Sequence, residues 1–244
     1  PAFLLPARDG RFLLAAYYQA NKVTVNRLQK NGAIGELVQT FPTAEKAHGI
    51  VFNTKNDLAF VSHTGANRIY QFRFDFKSGM LTSNKPAFVQ TPEEDHPRHI
   101  VLHPSERWAY TSNEAGDSLG VFAVDRKRGT LKSVQTVSSI PADFDGQKNS
   151  TAHCEMTPDG RFVYVSNRDG RLDLEEGQPH GDSLAGFAID PQTGKLKLVG
   201  LFLTERFPRS FCVDPSGHFL FAANELSHTL TSFRIHQETG ALKR

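Results

Sequence analysis

The chain has 244 residues, 28 Lys plus Arg against 26 Asp plus Glu, a formal net charge of +2 and 39% hydrophobic residues. That composition supplies one or two buried cores but no concentrated basic field, so a nucleic-acid partner is not expected. No apolar run approaches the roughly 20 residues of a bilayer span, so membrane insertion is not expected, and Cys154 and Cys212 make neither a disulfide framework nor a zinc site and read as buried thiols.

Taken in chain order, the predicted elements repeat. A looser first copy ends in GRFLLAAY at Tyr17; residues 49–63 read GIVFNTKNDLAFVSH, 99–113 HIVLHPSERWAYTSN, 153–167 HCEMTPDGRFVYVSN and 210–224 SFCVDPSGHFLFAAN. The column Tyr17, His63, Asn113, Asn167 and Asn224 advances by 46, 50, 54 and 57 residues, the spacing of a large structural repeat with loop insertions. A second half follows each later copy, beginning at Arg68, Ser118, Ser183 and Thr229, and in each a Gly (Gly79, Gly129, Gly194, Gly240) stands four residues after Asp75, Asp125, Asp190 or His236. That is tight-turn chemistry between alternating strands. Each unit therefore carries four short strands, A to D, and no helical periodicity interrupts them.

Repeated four-stranded antiparallel units predict an all-β propeller, read as one domain over residues 1–244 with blades near 1–45, 46–95, 96–150, 151–205 and 206–244. Because an open ring leaves sheet edges and apolar faces uncovered, further blades are expected outside the given chain. Strand direction alone places every D-to-A connection and every B-to-C loop on one mouth of the ring. That mouth collects His48, Arg98, His99, His153 and Arg209 from the first set, and Asn113, Glu114, Arg168 and Glu225 from the second. The longest connections, 138–150 and 168–182, share it, and loops on a rigid scaffold commonly carry function.

Simpler roles compete with each assignment. The Asn113, Asn167 and Asn224 column suits turn capping, and His63 and His103 suit satisfied polar groups at strand ends. Arg98, Glu114 and Arg168 also suit an interblade salt-bridge set, although charges gathered at a channel mouth are costly to desolvate without a partner. The acidic run 92–95 and the pair Glu175 and Glu176 read as solvated loop, and Asp143 with Asp145 is too sparse for a cation site.

With these residues in place, the sequence resembles the seven-bladed lactonase family, which includes propeller-type 6-phosphogluconolactonases and the fungal carboxy-cis,cis-muconate cyclase. The matching stretches are AHGIVF at Ala47, HPRHIVLHP at His96, TSNEAGDSLGVFAVD at Thr111, TPDGRFVYVSNRDG at Thr157 and FPRSFCVDPSGHFLFAAN at Phe207. The resemblance implies seven blades, of which this chain would hold about the second to the sixth. It also implies a cytoplasmic enzyme that acts on a small anionic sugar lactone without a cofactor or metal, at a site formed by His48, Arg98, Glu114 and Arg168. One departure stands out: where many relatives carry Glu in an AEI motif, this chain has Ala152, His153 and Cys154.

Lactone hydrolysis needs a base for the attacking water and positive charge for the developing oxyanion. His48 is the expected base, since an imidazole titrates near neutral pH, with Glu114 orienting it or serving as the base itself. Arg98 and Arg168 are expected to bind and stabilise the anion, with Arg209 as a third cation. His99, His153 and Asn113 are further candidate substrate contacts. Two other readings compete: lactonisation of a muconate at the same kind of site, and a non-catalytic propeller that binds a protein or glycan. An export signal ahead of the first unit stays open.

Overall fold

The computed structural model describes residues 1–55, 57–141, 149–171 and 181–244, and every regular element among them is a β-strand. Blade 1 contains β1 (Phe3–Pro6), β2 (Phe12–Tyr17), β3 (Lys22–Leu28) and β4 (Ile34–Pro42). Blade 2 contains β5 (Ala47–Phe52), β6 (Leu58–His63), β7 (Arg68–Asp75) and β8 (Met80–Gln90). Blade 3 contains β9 (Pro97–Leu102), β10 (Trp108–Asn113), β11 (Ser118–Asp125) and β12 (Thr130–Ser138). Blade 4 contains β13 (Asn149–Met156), β14 (Phe162–Asp169), β15 (Ser183–Ile189) and β16 (Leu196–Leu203), and blade 5 contains β17 (Pro208–Val213), β18 (Phe219–Asn224), β19 (Thr229–Ile235) and β20 (Leu242–Lys243). Each blade is one four-stranded sheet with its strands in chain order and antiparallel, as the repeat predicts.

The core lies between blades rather than at the centre. Alternation sends consecutive side chains of one strand to opposite faces. In β6, Ala59 and Val61 pack with blade 1, whereas Leu58 and Phe60 pack with Ile100, Ala109 and Phe122 of blade 3. Tyr110, Leu119 and Val121 of blade 3 meet Val163, Val165 and Phe187 of blade 4, and Phe162 and Tyr164 meet Phe211, Leu220 and Phe233 of blade 5. The same rule explains where large apolar side chains remain exposed: Leu4, Ile34 and Leu37 lie on the outer side of blade 1, and Phe219 and Leu230 on that of blade 5.

The C-to-D turns fasten neighbouring blades. Gly194 adopts φ 69°, and a Cβ there would come within 2.2 Å of the Trp108 ring, so only glycine fits this left-handed turn against blade 3. Its carbonyl accepts a hydrogen bond from the Tyr110 hydroxyl at 3.0 Å, and Tyr164 binds the Gly240 carbonyl in the same way at 2.8 Å.

Towards the axis, the first strand of each blade lies beside the first strand of the next, so these strands line the central channel. Serines on the second strands stitch them together. Ser62 Oγ accepts from Gly49 N at 3.1 Å and donates to the Arg98 carbonyl of the next blade at 2.5 Å. Ser112 repeats the pattern, accepting from His99 N at 3.1 Å and donating to the Ala152 carbonyl at 2.8 Å. Cys154 is buried, as expected, but Cys212 is exposed, because it alternates onto the outer side of blade 5. Asp143, Asp145, Glu175 and Glu176 lie outside the described residues.

Candidate active site

The innermost strands of blades 2 to 5 enter their sheets through a register shift. It falls between Ala47 and Ile50 in β5, opposite Ser112 and Asn113 in β9, between Thr151 and Cys154 in β13, and between Pro208 and Ser210 in β17. A bulge bends its strand and re-aims the unpaired residue. The residues lifted out of register include His48, Arg98 and Arg209, and their side chains turn to the same mouth. A second column, at or just past the ends of the second strands, supplies Tyr18, Glu114, Arg168 and Glu225.

His48, Arg98, Glu114 and Arg209 line one cavity of about 530 Å³, together with Ala2 and the Tyr17, Tyr18 and Gln19 segment of blade 1. Glu114 joins two guanidinium groups through a single oxygen: Arg168 Nη2 donates to Oε1 at 2.7 Å, and Arg98 Nε lies 3.3 Å from the same atom as an ion pair. Both arginine side chains are only 5% exposed, against 27% for the carboxylate, so the anion faces the cavity and the cations stand behind and beside it. Backbone bonds from Glu114 N to the His96 carbonyl at 2.9 Å and from Thr151 N to the Glu114 carbonyl at 3.2 Å fix its position.

Of the residues that line this cavity, Arg98 and His48 carry buried atoms without a hydrogen-bond partner among the described residues, Arg98 Nη1 and His48 Nδ1. Unpaired buried polar atoms are costly, and both belong to residues on the cavity wall. Burial, then the neighbouring charge of Arg98, Arg209 and Arg168, pushes the His48 pKa down to about 3. His48 is therefore a neutral imidazole throughout the physiological range, contrary to the expectation of a group titrating near neutrality. Desolvation also lowers Arg98, to about 10 against the opposing pull of Glu114, which leaves it charged at pH 7.

Other expected site residues stand apart from the cavity wall. Arg168 lies behind Glu114: its guanidinium also donates to the Ser150 and Thr151 carbonyls at 3.3 and 3.2 Å and stacks 5.3 Å from the Phe207 ring. It holds the carboxylate rather than presenting itself to a ligand. His99 and His153 lie one residue further down the channel, in a row of rings: His48 to His99 is 5.1 Å, His99 to His153 is 4.6 Å and His153 to Phe211 is 4.9 Å between centroids. His153 also lies 3.6 Å from Glu155. Asn113 is fully buried; its Oδ1 accepts from Thr111 at 3.0 Å and its Nδ2 donates to Ser118 at 3.0 Å. The Asn113 amide, expected as a substrate contact, is thus buried off the cavity wall and used as a turn cap. His103 is satisfied by Ser105 and the Gly160 carbonyl, as expected.

Tyr18 and Gln19 were missed by sequence reasoning, although the signal was present. Tyr18 follows Tyr17, which shares a column with Asn113, so Tyr18 and Glu114 hold equivalent places. The Tyr18 ring meets His48 edge-on at 5.9 Å and closes one side of the cavity.

The comparisons agree with this architecture. A 6-phosphogluconolactonase of Pectobacterium atrosepticum is 32% identical over 244 residues, covering 100% of this chain and 69% of its own length. The periplasmic gluconolactonase of Pseudomonas aeruginosa superposes with a TM-score of 0.87 at 27% identity, covering 100% of this chain and 68% of that one. A Lactobacillus plantarum protein, with a TM-score of 0.89 at 24% identity over 100% of this chain and 69% of its own, shares the fold. The sequence model described as lactonase, 7-bladed beta-propeller, matches residues 1–244, and the chain belongs to that family.

Proposed function

We propose that this lactonase opens the ring of an anionic sugar lactone of the 6-phosphogluconolactone kind, with Glu114 activating water and Arg98 receiving the charge that develops on the carbonyl oxygen. The observation that carries the reading is the division of labour around Glu114. Both guanidinium contacts fall on Oε1, which leaves Oε2 for a water, and Arg98 lines the same cavity as the carboxylate.

In the first step Glu114 removes a proton from water as its oxygen bonds to the lactone carbonyl carbon. The carbonyl oxygen becomes an alkoxide, and the Arg98 guanidinium stabilises it in a partly desolvated site. The C–O bond to the ring oxygen then breaks, the ring oxygen takes back the proton held by Glu114, and the product is an open-chain hydroxy acid. Arg168 is a positioning residue that fixes Glu114. His48 contributes as a neutral imidazole, hydrogen-bonding the water or the ring oxygen without carrying charge. The scheme assigns no step to a metal or cofactor.

The names of the curated relatives support the substrate class, and the cavity supports it in charge: two guanidinium groups, Arg98 and Arg209, face it against one carboxylate. The test is to follow loss of 6-phosphogluconolactone at a pH where spontaneous hydrolysis is slow. Acceleration by the protein that is lost in Glu114→Gln supports the reading. Equal rates with and without the protein contradict it.

A further inference from the structure

The mouth is built from paired positions, one on the bulge of the first strand and one at the end of the second, and two blades fill both with an Arg and a Glu. Blade 3 pairs Arg98 with Glu114 at 3.3 Å, and blade 5 pairs Arg209 with Glu225 at 3.5 Å. The two pairs are alike in placement and opposite in environment. Arg98 is 5% exposed and held from the backbone side by Ser62, whereas the Arg209 and Glu225 side chains are 53% and 51% exposed. An exposed pair at this separation is held weakly and exchanges readily with a competing ion.

Arg209 nevertheless lines the same cavity as Arg98, His48 and Glu114. It is close enough for its charge to bear on both His48 and Arg98. A ligand bound at Arg98 therefore shares its cavity with a guanidinium that already holds a carboxylate. Replacing that carboxylate by another monoanion gains little. A phosphate monoester carries a charge of about −1.5 to −2 at pH 7 and three acceptor oxygens, so it wins the exchange. Glu225, released but still nearby, then repels the phosphate and limits how tightly it is held.

We propose that Arg209 and Glu225 form an exchangeable latch that selects lactones bearing a phosphate monoester remote from the ring carbonyl: Arg209 binds the phosphate and Glu225 competes with it. This rests on the lactonase reading given above but assigns selectivity to residues outside the Glu114 chemistry. In the hydrolysis scheme neither residue touches the reacting atoms.

The experiment compares kcat/KM for 6-phosphogluconolactone and for glucono-δ-lactone in the unmodified protein, Arg209→Gln and Glu225→Gln, with melting temperatures as a check on folding. Arg209→Gln is expected to lower the ratio of the two kcat/KM values at least tenfold, mainly through KM of the phosphorylated lactone. Glu225→Gln is expected to raise that ratio about fivefold, the size of a rim charge interaction. A ratio unchanged in both folded variants overturns the latch, and so does an effect of the same sign in both. If the unmodified protein hydrolyses neither lactone, the lactonase reading fails separately. The latch is then read from binding alone, by calorimetry with 6-phosphogluconate against gluconate, where the same opposed shifts in Kd are required and their absence overturns it.

Discussion

At the scale of single residues, the site depends on one carboxylate shared between two buried guanidinium groups. Glu114→Gln removes the anion that compensates Arg98 and Arg168 as well as the proposed base, so kcat is expected to fall at least about 100-fold, with a lower melting temperature. Arg168→Gln should lower kcat without a matching rise in KM, because the residue acts through Glu114 and lies off the cavity wall; a pure KM effect would return it to substrate binding. The state of His48 makes a distinct prediction. Its pKa of about 3 means that the pH profile of kcat/KM for an unphosphorylated lactone has no inflection near 6.5. An inflection between pH 6 and 7 that disappears in His48→Gln would restore the imidazole as the titrating base.

At the scale of elements, the bulges at the starts of the innermost strands do the positioning. Gly49, beside the bulge of β5, lets neighbouring first strands approach: a Cβ there would lie 2.7 Å from the Arg98 carbonyl oxygen and 2.9 Å from Ser62 Oγ. Gly49→Ala should therefore push β9 outward, disturb the Ser62 bond to Arg98, and reduce kcat/KM about tenfold or more while most of the fold persists. A variant with full activity would show that the Arg98 position is not set by this contact. Strand number, order and the shared mouth were legible because the repeat columns and the turn glycines repeat in register. The bulges were not, since a one-residue register shift leaves no mark in apolar alternation only six residues long. For the same reason Arg98 and Arg168 looked equivalent in sequence, whereas Arg98 sits on a bulge facing the cavity and Arg168 lies within the regular strand β14, behind Glu114. The titration of His48 was illegible because it follows from burial and three arginines contributed by three different blades.

At the scale of the whole molecule, layered packing between blades brings imidazoles into buried positions where they stay neutral. Burial lowers His48 to about 3 and His63 to about 4, and holds His99 well below its ordinary value. An unfolded imidazole binds its proton near pH 6.5, so between that value and the folded ones the unfolded chain holds more protons, and stability falls as pH falls. Each such group costs up to about 1.4 kcal/mol per pH unit in that window. The melting temperature is therefore expected to drop from pH 6.5 to 4.5, and the slope to be shallower in His63→Gln; a flat profile would mean that these imidazoles are protonated in the folded ring. The central claim is spatial: residues from separate blades converge on one small anion at one mouth. It is tested most directly by a crystal structure with the product 6-phosphogluconate bound. The account predicts the product carboxylate at hydrogen-bond distance, about 3 Å, from the Arg98 guanidinium and beside Glu114, with the phosphate at Arg209. Product bound at the opposite mouth, or at this mouth with neither Arg98 nor Glu114 in contact, would contradict it.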